Sequence, residues 1–356
     1  MSDGLAQEFA EKVKTAAANN QTLAIVGGGT KAFYVQPKAD GEVNLGAYSG
    51  IVDYDPRELV VTVKAGTKLS ELQKVLAENG QMLACESPAF GGDATIGGTV
   101  ACAFSGPRRA YTAALRDYVL GVKMINGQGE ILRLGGQVMK NVAGFDVPRL
   151  LCGSLGSLGI ILEVSLKVLP LPHGEKTLVH EMPMGFAVGK THQALQAGLP
   201  VTGSAYDNGK LYLRISGGEK TLASVSSIIG GDQVSDDASN TFWQQLKEQQ
   251  LDFFDTDLPL WRVSLAANAS VDELGDQLFD WGGMLRWIKT DCDAQQVFDM
   301  AKLNGGHASL FRHPANQSTM NRHQPLSGVQ SQWHQRLKAA FDSANIFNPN
   351  LSFVGA

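Results

Sequence analysis

Two glycine-rich segments hold the residues best suited to binding a charged ligand. They are residues 25–31 (IVGGGTK) and residues 87–99 (SPAFGGDATIGGT). Consecutive glycines leave backbone N–H groups unobstructed, so they can surround an anion such as a pyrophosphate. Thr30 and Thr95 could add hydroxyl donors, and Lys31 a positive charge. Neither segment has Rossmann or P-loop spacing, which disfavours those two nucleotide-binding folds. Taken alone, the first segment is more often a plain loop at the end of a strand.

A second set of candidates lies in the other half of the chain, where four β-rich runs each contain one arginine. The runs are LYLRIS, LWRVSL, GMLRWIKT and ASLFRH, with Arg214, Arg262, Arg286 and Arg312. A guanidinium group binds a carboxylate through two parallel hydrogen bonds. If the runs form one sheet, Arg262, Arg286 and Arg312 could converge on a carboxylate substrate. The alternative is that they point outward and pair with acids or with a partner subunit.

The elements that must position these residues alternate between strands and helices. An opening helix is predicted from the apolar spacing of Leu5, Phe9 and Val13. A helix should begin near Thr67 and end at Gly80, since threonine caps helix starts and glycine closes helix ends. The other predicted elements are strands over residues 22–26, 55–63 and 160–168, a hairpin over 117–134, and a tail helix over 333–344.

Length and composition favour a two-part protein that does not span a membrane. The chain has 356 residues, above the ~250–300 at which single cores stop growing. The prolines and glycine of residues 170–174 (PLPHG) mark a border after residue 172. No apolar run approaches the ~20 residues of a membrane-spanning helix, and residues 1–14 lack the apolar core of a secretory signal. We therefore expect a cytoplasmic protein.

Charge and cysteine content exclude further classes of function. The net charge is −5 without basic tracts, so nothing indicates nucleic-acid binding. The four cysteines, Cys85, Cys102, Cys152 and Cys292, form no C-x-x-C pair. This argues against zinc or an iron–sulfur cluster held by this chain alone. We expect reduced thiols in the protein core.

The order of four motifs resembles the vanillyl-alcohol-oxidase, or PCMH-type, FAD-binding family. The motifs are IVGGGTK (25–31), SPAFGGDATIGGTVA (87–101), DYVLGVKMINGQGEI (117–131) and KNVAGFDVPRLLCGSLGSLGIILEV (140–164). The resemblance implies an α+β fold: a PCMH-type FAD-binding domain of two α+β subdomains over 1–172, then a smaller α+β cap domain with an antiparallel sheet over 173–335. A helix and tail over 336–356 would return towards the FAD domain.

The same resemblance assigns FAD-binding residues one by one. Gly27, Gly28, Gly29, Thr30 and Lys31 would hold the pyrophosphate. The pyrophosphate and the isoalloxazine ring would be lined by Pro88, Thr95, Ile96, Gly97, Gly98 and Ala101. Gly106, Lys140 and Gly144 would be further neighbours, with Ile160 or Ile161 meeting the adenosine part.

The chain departs from its relatives in two ways. Many of them attach the flavin through a histidine near the first glycine loop, but the first histidine here is His173. FAD is therefore expected to bind non-covalently, with Cys102 as the thiol that could approach it. Larger 2-hydroxy-acid dehydrogenases bind a metal through spaced histidines, but the spacings of His307, His313, His323 and His334 do not match that pattern. We expect no metal site, and His307 and His323 are the histidines to test first.

Within the family, the whole chain is similar to the FAD-binding subunit that works beside a larger flavin subunit and an iron–sulfur subunit in bacterial glycolate oxidase. The resemblance implies an FAD-dependent oxidoreductase acting on a small 2-hydroxy acid, active as part of this complex, with any membrane contact made through partners. The alternatives are a free-standing FAD-dependent oxidase of another alcohol or sugar, and a non-catalytic assembly subunit of the same complex.

Overall fold

The computed structural model describes residues 2–35, 38–136, 146–269, 274–313 and 322–349. Within these ranges the α-helices are α1 (Ser2–Ala18), α2 (Leu69–Glu78), α3 (Ile96–Cys102), α4 (Arg109–Thr112), α5 (Val147–Leu151), α6 (Met184–Gln196), α7 (Glu219–Ile229), α8 (Asp236–Glu248), α9 (Ala294–Leu303) and α10 (Gly328–Phe341).

The strands of the same ranges are β1 (Leu23–Val26), β2 (Gly41–Asn44), β3 (Ile51–Asp55), β4 (Val60–Lys64), β5 (Gln81–Met82), β6 (Val119–Ile125), β7 (Ile131–Gly135), β8 (Ile160–Lys167), β9 (Leu169–Pro170), β10 (Glu175–Glu181), β11 (Val201–Asp207), β12 (Lys210–Ser216), β13 (Asp232–Gln233), β14 (Leu260–Ser264), β15 (Asp276–Asp280), β16 (Leu285–Lys289) and β17 (His307–Arg312). The chain divides into two compact units, one of residues 1–105, 114–171 and 325–356, the other of residues 106–113 and 172–324.

The first unit is built on a five-stranded antiparallel sheet with the strand order β3-β4-β8-β6-β7. Its central strand β8 is buried along almost its whole length, which explains its apolar sequence. One charged residue of β8, Glu163, is paired with Lys123 at 3.1 Å and accepts a hydrogen bond from the Tyr48 hydroxyl at 3.0 Å. A separate parallel pair, β1 and β2, places the end of β1 at the first glycine loop.

The end of the chain returns to this unit beside β1. Leu23 N–H donates to Ile346 O at 2.8 Å, and the Lys338 ammonium of α10 donates to Ser157 O at 2.7 Å. The tail helix begins at Gly328 instead of Trp333, because the Ser327 hydroxyl accepts from Gln330 N–H in a capping box.

The single strand predicted over residues 55–63 is confirmed for residues 60–63, which belong to β4, and is wrong for its first part, because β3 ends at Asp55 and a turn follows. The structure has a hairpin of β3 and β4 with a turn between them, in which the Asp55 carboxylate accepts the Arg57 N–H at 2.9 Å. Leu59 has a φ of +57° in this turn. An aspartate before a proline favours turns, and that signal outweighs the β-rich run that follows.

The second unit contains an eight-stranded antiparallel sheet with the order β13-β10-β12-β11-β15-β16-β14-β17. The four arginine-bearing runs are β12, β14, β16 and β17, so all four strands belong to this sheet. Helices α6 and α7 cover one part of it, where Ala187, Ala194, Val225 and Ile229 join the core. Helix α9 covers the other end through Val297, Phe298 and Ala301.

A buried charge cluster ties the segment of residues 106–113 to this sheet. Glu175 on β10 accepts two hydrogen bonds from Arg108 at 2.9 Å each and lies 3.7 Å from the guanidinium of Arg214. Burial alone would raise the pKa of Glu175, but the two guanidinium groups and the Ser216 hydroxyl hold it below its ordinary value. Glu175 therefore stays charged at neutral pH.

Candidate functional site

The two glycine-rich loops meet in the first unit. A side chain on Gly28 would overlap the carbonyl oxygen of Asp93, and one on Gly27 would overlap the Thr95 hydroxyl. Gly97 approaches Ala65 so closely that its N–H donates to Ala65 O at 2.8 Å. A Cβ at Gly27 or Gly28 would therefore push the two loops apart, and a Cβ at Gly97 would clash with Ala65.

A cavity of about 330 Å³ opens where the loops meet, at the lower end of the ~300–1,000 Å³ typical of small-molecule sites. The first loop lines it with Gly27 to Lys31 and the second segment with Thr95, Gly97, Gly98, Ala101 and Cys102. Gly156, Gly159 and Ile161 come from the start of β8 and the turn before it. Asn348 also lines the cavity. Its side-chain oxygen accepts from Ile25 N–H at 2.8 Å, and its side-chain NH₂ group donates to Leu155 O at 2.7 Å.

The two loops contribute differently to the cavity. The N–H groups of Ile96, Gly97 and Gly98 donate to Thr67 O, Ala65 O and Thr95 Oγ1, so they are already engaged within the protein. The second loop therefore offers mainly a bare surface. Gly29 has a φ of +69°, and no atom of the described residues lies within 4 Å of where its Cβ would be. The backbone of the first loop is the better anion-binding element.

Lys31 provides a positive charge at the cavity. Its side chain is buried, at 8% exposure, and the ammonium lies 3.5 Å from both Thr30 Oγ1 and Ala89 O. It also lies 5.8 Å from the centre of the Phe90 ring. A buried ammonium beside a cavity suits a phosphate group, which would offset the cost of burying the charge.

Cys102 is the thiol in the described lining of the cavity. Burial raises its pKa to about 11, although the charge of Lys31 opposes the shift. The thiol is therefore neutral at physiological pH and a poor nucleophile.

Some of the residues predicted to contact FAD do not line this cavity. Pro88 lies in the second loop outside the described lining, and the side chains of Ile96 and Ile160 are buried in the protein core. Gly106 belongs to the second unit, where its carbonyl accepts the Trp281 indole N–H at 2.9 Å. Lys140 and Gly144 lie outside the described residues.

Several lining residues were not predicted as site residues. Glu42, Leu45 and Asn348 belong to segments that carry none of the glycine motifs, and Leu155 lies within the fourth motif but was not predicted as a site residue. Glu42 reaches the cavity from β2 and Asn348 from the returning end of the chain, and the two glycine loops indicate neither contact.

The prediction that Arg262, Arg286 and Arg312 converge is wrong for Arg286. Arg262 is the cross-strand partner of Trp287, so Trp287 shares its face and the neighbouring Arg286 points to the opposite face. Arg286 is 2% exposed and donates to the carbonyls of Gly283, Ala267 and Ala269 at 2.7–3.2 Å. It stabilises two loops and is not available for a substrate.

The remaining candidates lie on β14, on β17 and just beyond it. The Arg312 guanidinium lies 5.9 Å from the ring of its neighbour Phe311. Partial burial lowers the pKa of both His307 and His323, and nearby arginine charges lower it further. Both imidazoles are therefore neutral at pH 7. Among the residues that the structure describes, no three His, Cys, Asp or Glu side chains are grouped to hold a metal ion.

Comparison with known proteins gives matches across the chain. Residues 5–135 match the family described as an FAD binding domain. The protein named glycolate oxidase subunit GlcE from Escherichia coli strain K12 is 41% identical over 349 residues, covering 98% of this chain and 97% of that protein. Glycolate oxidase subunit GlcD from Bacillus subtilis strain 168 is 34% identical over 129 residues, 36% of this chain and 27% of that protein.

Among solved structures, an alkyldihydroxyacetonephosphate synthase superposes with a TM-score of 0.68 at 16% identity, covering 96% of this chain and 74% of that one. This likeness concerns the fold alone, and it confirms the predicted α+β class. No helix in the described part of the chain is long and apolar enough to cross a membrane.

Proposed function

The chain belongs to the family of glycolate oxidase subunits with a PCMH-type FAD-binding domain, and we propose that it is the FAD-binding subunit of a multi-subunit glycolate dehydrogenase. Its substrate would be glycolate or a related small 2-hydroxy acid, oxidised to the 2-oxo acid. The observation that carries the proposal is the cavity between the two glycine loops in a chain that matches a glycolate oxidase subunit from end to end.

The residues of the cavity fit FAD. The backbone from Gly27 to Thr30 would hold the pyrophosphate, with the Lys31 ammonium neutralising part of its charge. The bare surface of Gly97 and Gly98 would let the cofactor approach the backbone of α3 closely. FAD supplies the acceptor for the hydride that leaves the substrate carbon. The chain binds the cofactor and sets its orientation.

We propose that the cofactor is held non-covalently. No histidine precedes His173 in the sequence. Cys102 is the thiol in the described lining, and its raised pKa keeps it protonated. A neutral thiol does not form a bond to the flavin readily.

The partners proposed for this subunit are a larger flavin subunit and an iron–sulfur subunit. The substrate loses a hydride from its carbon and a proton from its hydroxyl, and the two electrons pass through the partners to an acceptor outside the complex. The names of the two bacterial relatives, each a glycolate oxidase subunit, support an assembly of this kind. We place the complex in the cytoplasm, with membrane contact only through partners. The free thiols of all four cysteines fit that compartment.

Co-expression tests the proposal. The chain is produced alone and together with the two partner subunits, and bound flavin and glycolate-dependent dye reduction are measured for each preparation. We expect flavin in both preparations and dye reduction only in the complex. Oxygen-dependent turnover of another alcohol or sugar by the isolated chain would favour a free-standing oxidase. A colourless chain that is nevertheless required for assembly would indicate a non-catalytic subunit.

A further inference from the structure

Trp333 is exposed, unlike the other tryptophans of the chain. Its side chain is 58% exposed, although tryptophan is highly buried on average. The other four are at most 7% exposed: Trp243, Trp261, Trp281 and Trp287. Packing in the protein core therefore explains four of the five tryptophans but does not explain Trp333.

The helix that carries Trp333 buries none of its residues. Helix α10 has 14 residues, and each of them is exposed or half-buried. The other helices of ten or more residues in the described part of the chain all bury apolar side chains: α1, α2, α6, α7, α8 and α9. A helix of this length is marginal in water unless one of its faces packs against another surface. A partner that covers α10 would supply this packing.

Both ends of α10 are fixed in place. The Ser327 hydroxyl caps its first turn. Near its last turn the Lys338 ammonium donates to Ser157 O at 2.7 Å and pairs with the Asp342 carboxylate at 2.6 Å. The helix is therefore an ordered part of the first unit, and its exposed face has a defined shape.

The exposed side chains of α10 form one stripe along the helix. Val329 is 67% exposed and lies four residues before Trp333, and Arg336 lies three residues after Trp333. Residues at these spacings are neighbours on a helix surface. The guanidinium carbon of Arg336 lies 5.3 Å from the centre of the Trp333 ring. We call these three residues the α10 stripe. Tryptophan and arginine are the residue types most enriched among those that dominate binding energy at protein interfaces.

The charge of this part of the chain is positive. Residues 300–341 contain five Lys or Arg and no Asp or Glu, although the whole chain has a net charge of −5. The next acid is Asp342, and its carboxylate is paired with Lys338. Helix α10 itself thus offers Arg336 no carboxylate. A surface complementary to the α10 stripe would be acidic.

The composition of α10 favours a protein over a lipid surface. A helix that lies on a membrane has a broad apolar face and a polar face rich in lysine and arginine. The exposed large apolar side chains of α10 are Val329 and Trp333, and its polar positions include Gln330, Gln332 and Gln335. A narrow apolar stripe flanked by amide groups suits a protein pocket with a polar rim. A second copy of this chain is less suitable, because a symmetric contact would bring two acid-free faces together.

We propose that the α10 stripe docks on an acidic surface of a partner subunit. Trp333 would fill an apolar pocket there, and Arg336 would pair with a carboxylate at the rim of the pocket. The inference rests on the proposed function, because the partner is one of the other subunits of the proposed complex, and it adds the surface through which this chain is held.

The test measures how tightly the complex holds this chain. The chain is co-expressed with both partner subunits, and the Kd is obtained by diluting the purified complex at low and at high salt. Trp333→Ala should raise the Kd about tenfold or more, the effect of truncating a central interface aromatic. Alanine favours the helix, so this loss would not reflect unfolding of α10. Arg336→Glu should also raise the Kd, and by a larger factor at low salt, because salt screens exposed charges.

Phe186→Ala and Lys74→Glu are the matched controls. Phe186 is an aromatic residue that is 68% exposed on α6, and Lys74 is an exposed cation on α2. Both variants should keep the Kd of the unaltered complex. Circular dichroism and bound flavin verify that each variant is folded. Val329→Ala provides a second change in the stripe, with a smaller expected loss because the side chain is smaller.

Equal Kd values for Trp333→Ala and Phe186→Ala would overturn the docking surface. Iodide quenching of the isolated chain gives a second test, since the other four tryptophans are buried, and an indole signal that iodide does not quench would also overturn it. The same holds if the isolated chain forms a dimer, or binds phosphatidylglycerol vesicles, and Trp333→Ala abolishes that association.

Failure of the proposed function gives a different result. That function is judged by bound flavin and by glycolate-dependent dye reduction in the assembled complex. An active complex whose Kd does not respond to the stripe variants would overturn the docking surface alone. An unaltered chain that binds flavin but neither partner subunit would overturn the docking surface and the proposed complex together.

Discussion

Replacing Lys31 with methionine should weaken FAD binding without unfolding the chain. Methionine is of similar length and apolar, and the substitution removes the cost of keeping an ammonium group buried at 8% exposure. The substitution should reduce the free energy of FAD binding, because the Lys31 ammonium would contact a phosphate only in the FAD-bound state. Hydrogen bonds to charged groups contribute about 1.5–3 kcal/mol, which corresponds to roughly a 10–100-fold higher Kd for FAD.

The assay is titration of the flavin-free chain with FAD, followed by quenching of flavin fluorescence. Lys74→Met provides the control, since Lys74 is an exposed residue of α2 in the same unit and its replacement removes the same charge. The control should keep the Kd of the unaltered chain. An unchanged Kd in Lys31→Met, or an equal loss in both variants, would refute the assignment of Lys31 to the phosphate.

Three further predictions concern the glycines of the second loop, the attachment of the flavin and the buried carboxylate of Glu175. Gly98→Val should fold but lose the yellow colour, whereas Gly97→Val should also lower the Tm, because its Cβ would lie 2.7 Å from Ala65 Cβ; a yellow Gly98→Val protein would contradict the placement of the cofactor. Denaturation should release free FAD from the unaltered chain and from Cys102→Ser alike, and flavin that stays with denatured protein would disprove non-covalent binding. Glu175→Gln should lower the free energy of unfolding by about 3 kcal/mol at neutral pH. Because the pKa of Glu175 is lowered on folding, its contribution is present above the unfolded carboxyl pKa and is lost as pH falls through the folded value. The unaltered chain should therefore lose more stability than the variant on acidification, and parallel denaturation curves from neutral to acidic pH would contradict this.

The sequence was sufficient to predict features that depend on local spacing. The opening helix, helix α2 with its glycine end at Gly80, and the β6–β7 hairpin all follow from apolar periodicity and turn residues. The predicted cap of α2 by Thr67 is wrong, because Lys68 is the N-cap residue and the Thr67 hydroxyl accepts from Gly50 N–H at 2.8 Å. The two glycine loops could be recognised from the sequence, because glycine has no side chain to cover its backbone N–H groups. Ten of the residues predicted to contact FAD line the cavity: Gly27, Gly28, Gly29, Thr30, Lys31, Thr95, Gly97, Gly98, Ala101 and Ile161.

Features that depend on pairing between distant segments could not be predicted in this way. The face on which Arg262 or Arg286 lies is fixed by the register of β14 with β16, and a shift of one residue would reverse it. Residues 106–113 belong to the second unit, and no local pattern in the sequence indicates this. The hydrogen bond from the Gly97 N–H to Ala65 O is equally non-local.

The most direct test of the central claim is an experimental structure of the chain loaded with FAD. We expect the pyrophosphate in the cavity between the two loops, against the backbone of Gly28 and Gly29 and beside the Lys31 ammonium. Finding FAD bound elsewhere on the chain, or finding the cavity filled by protein side chains in the loaded protein, would contradict it.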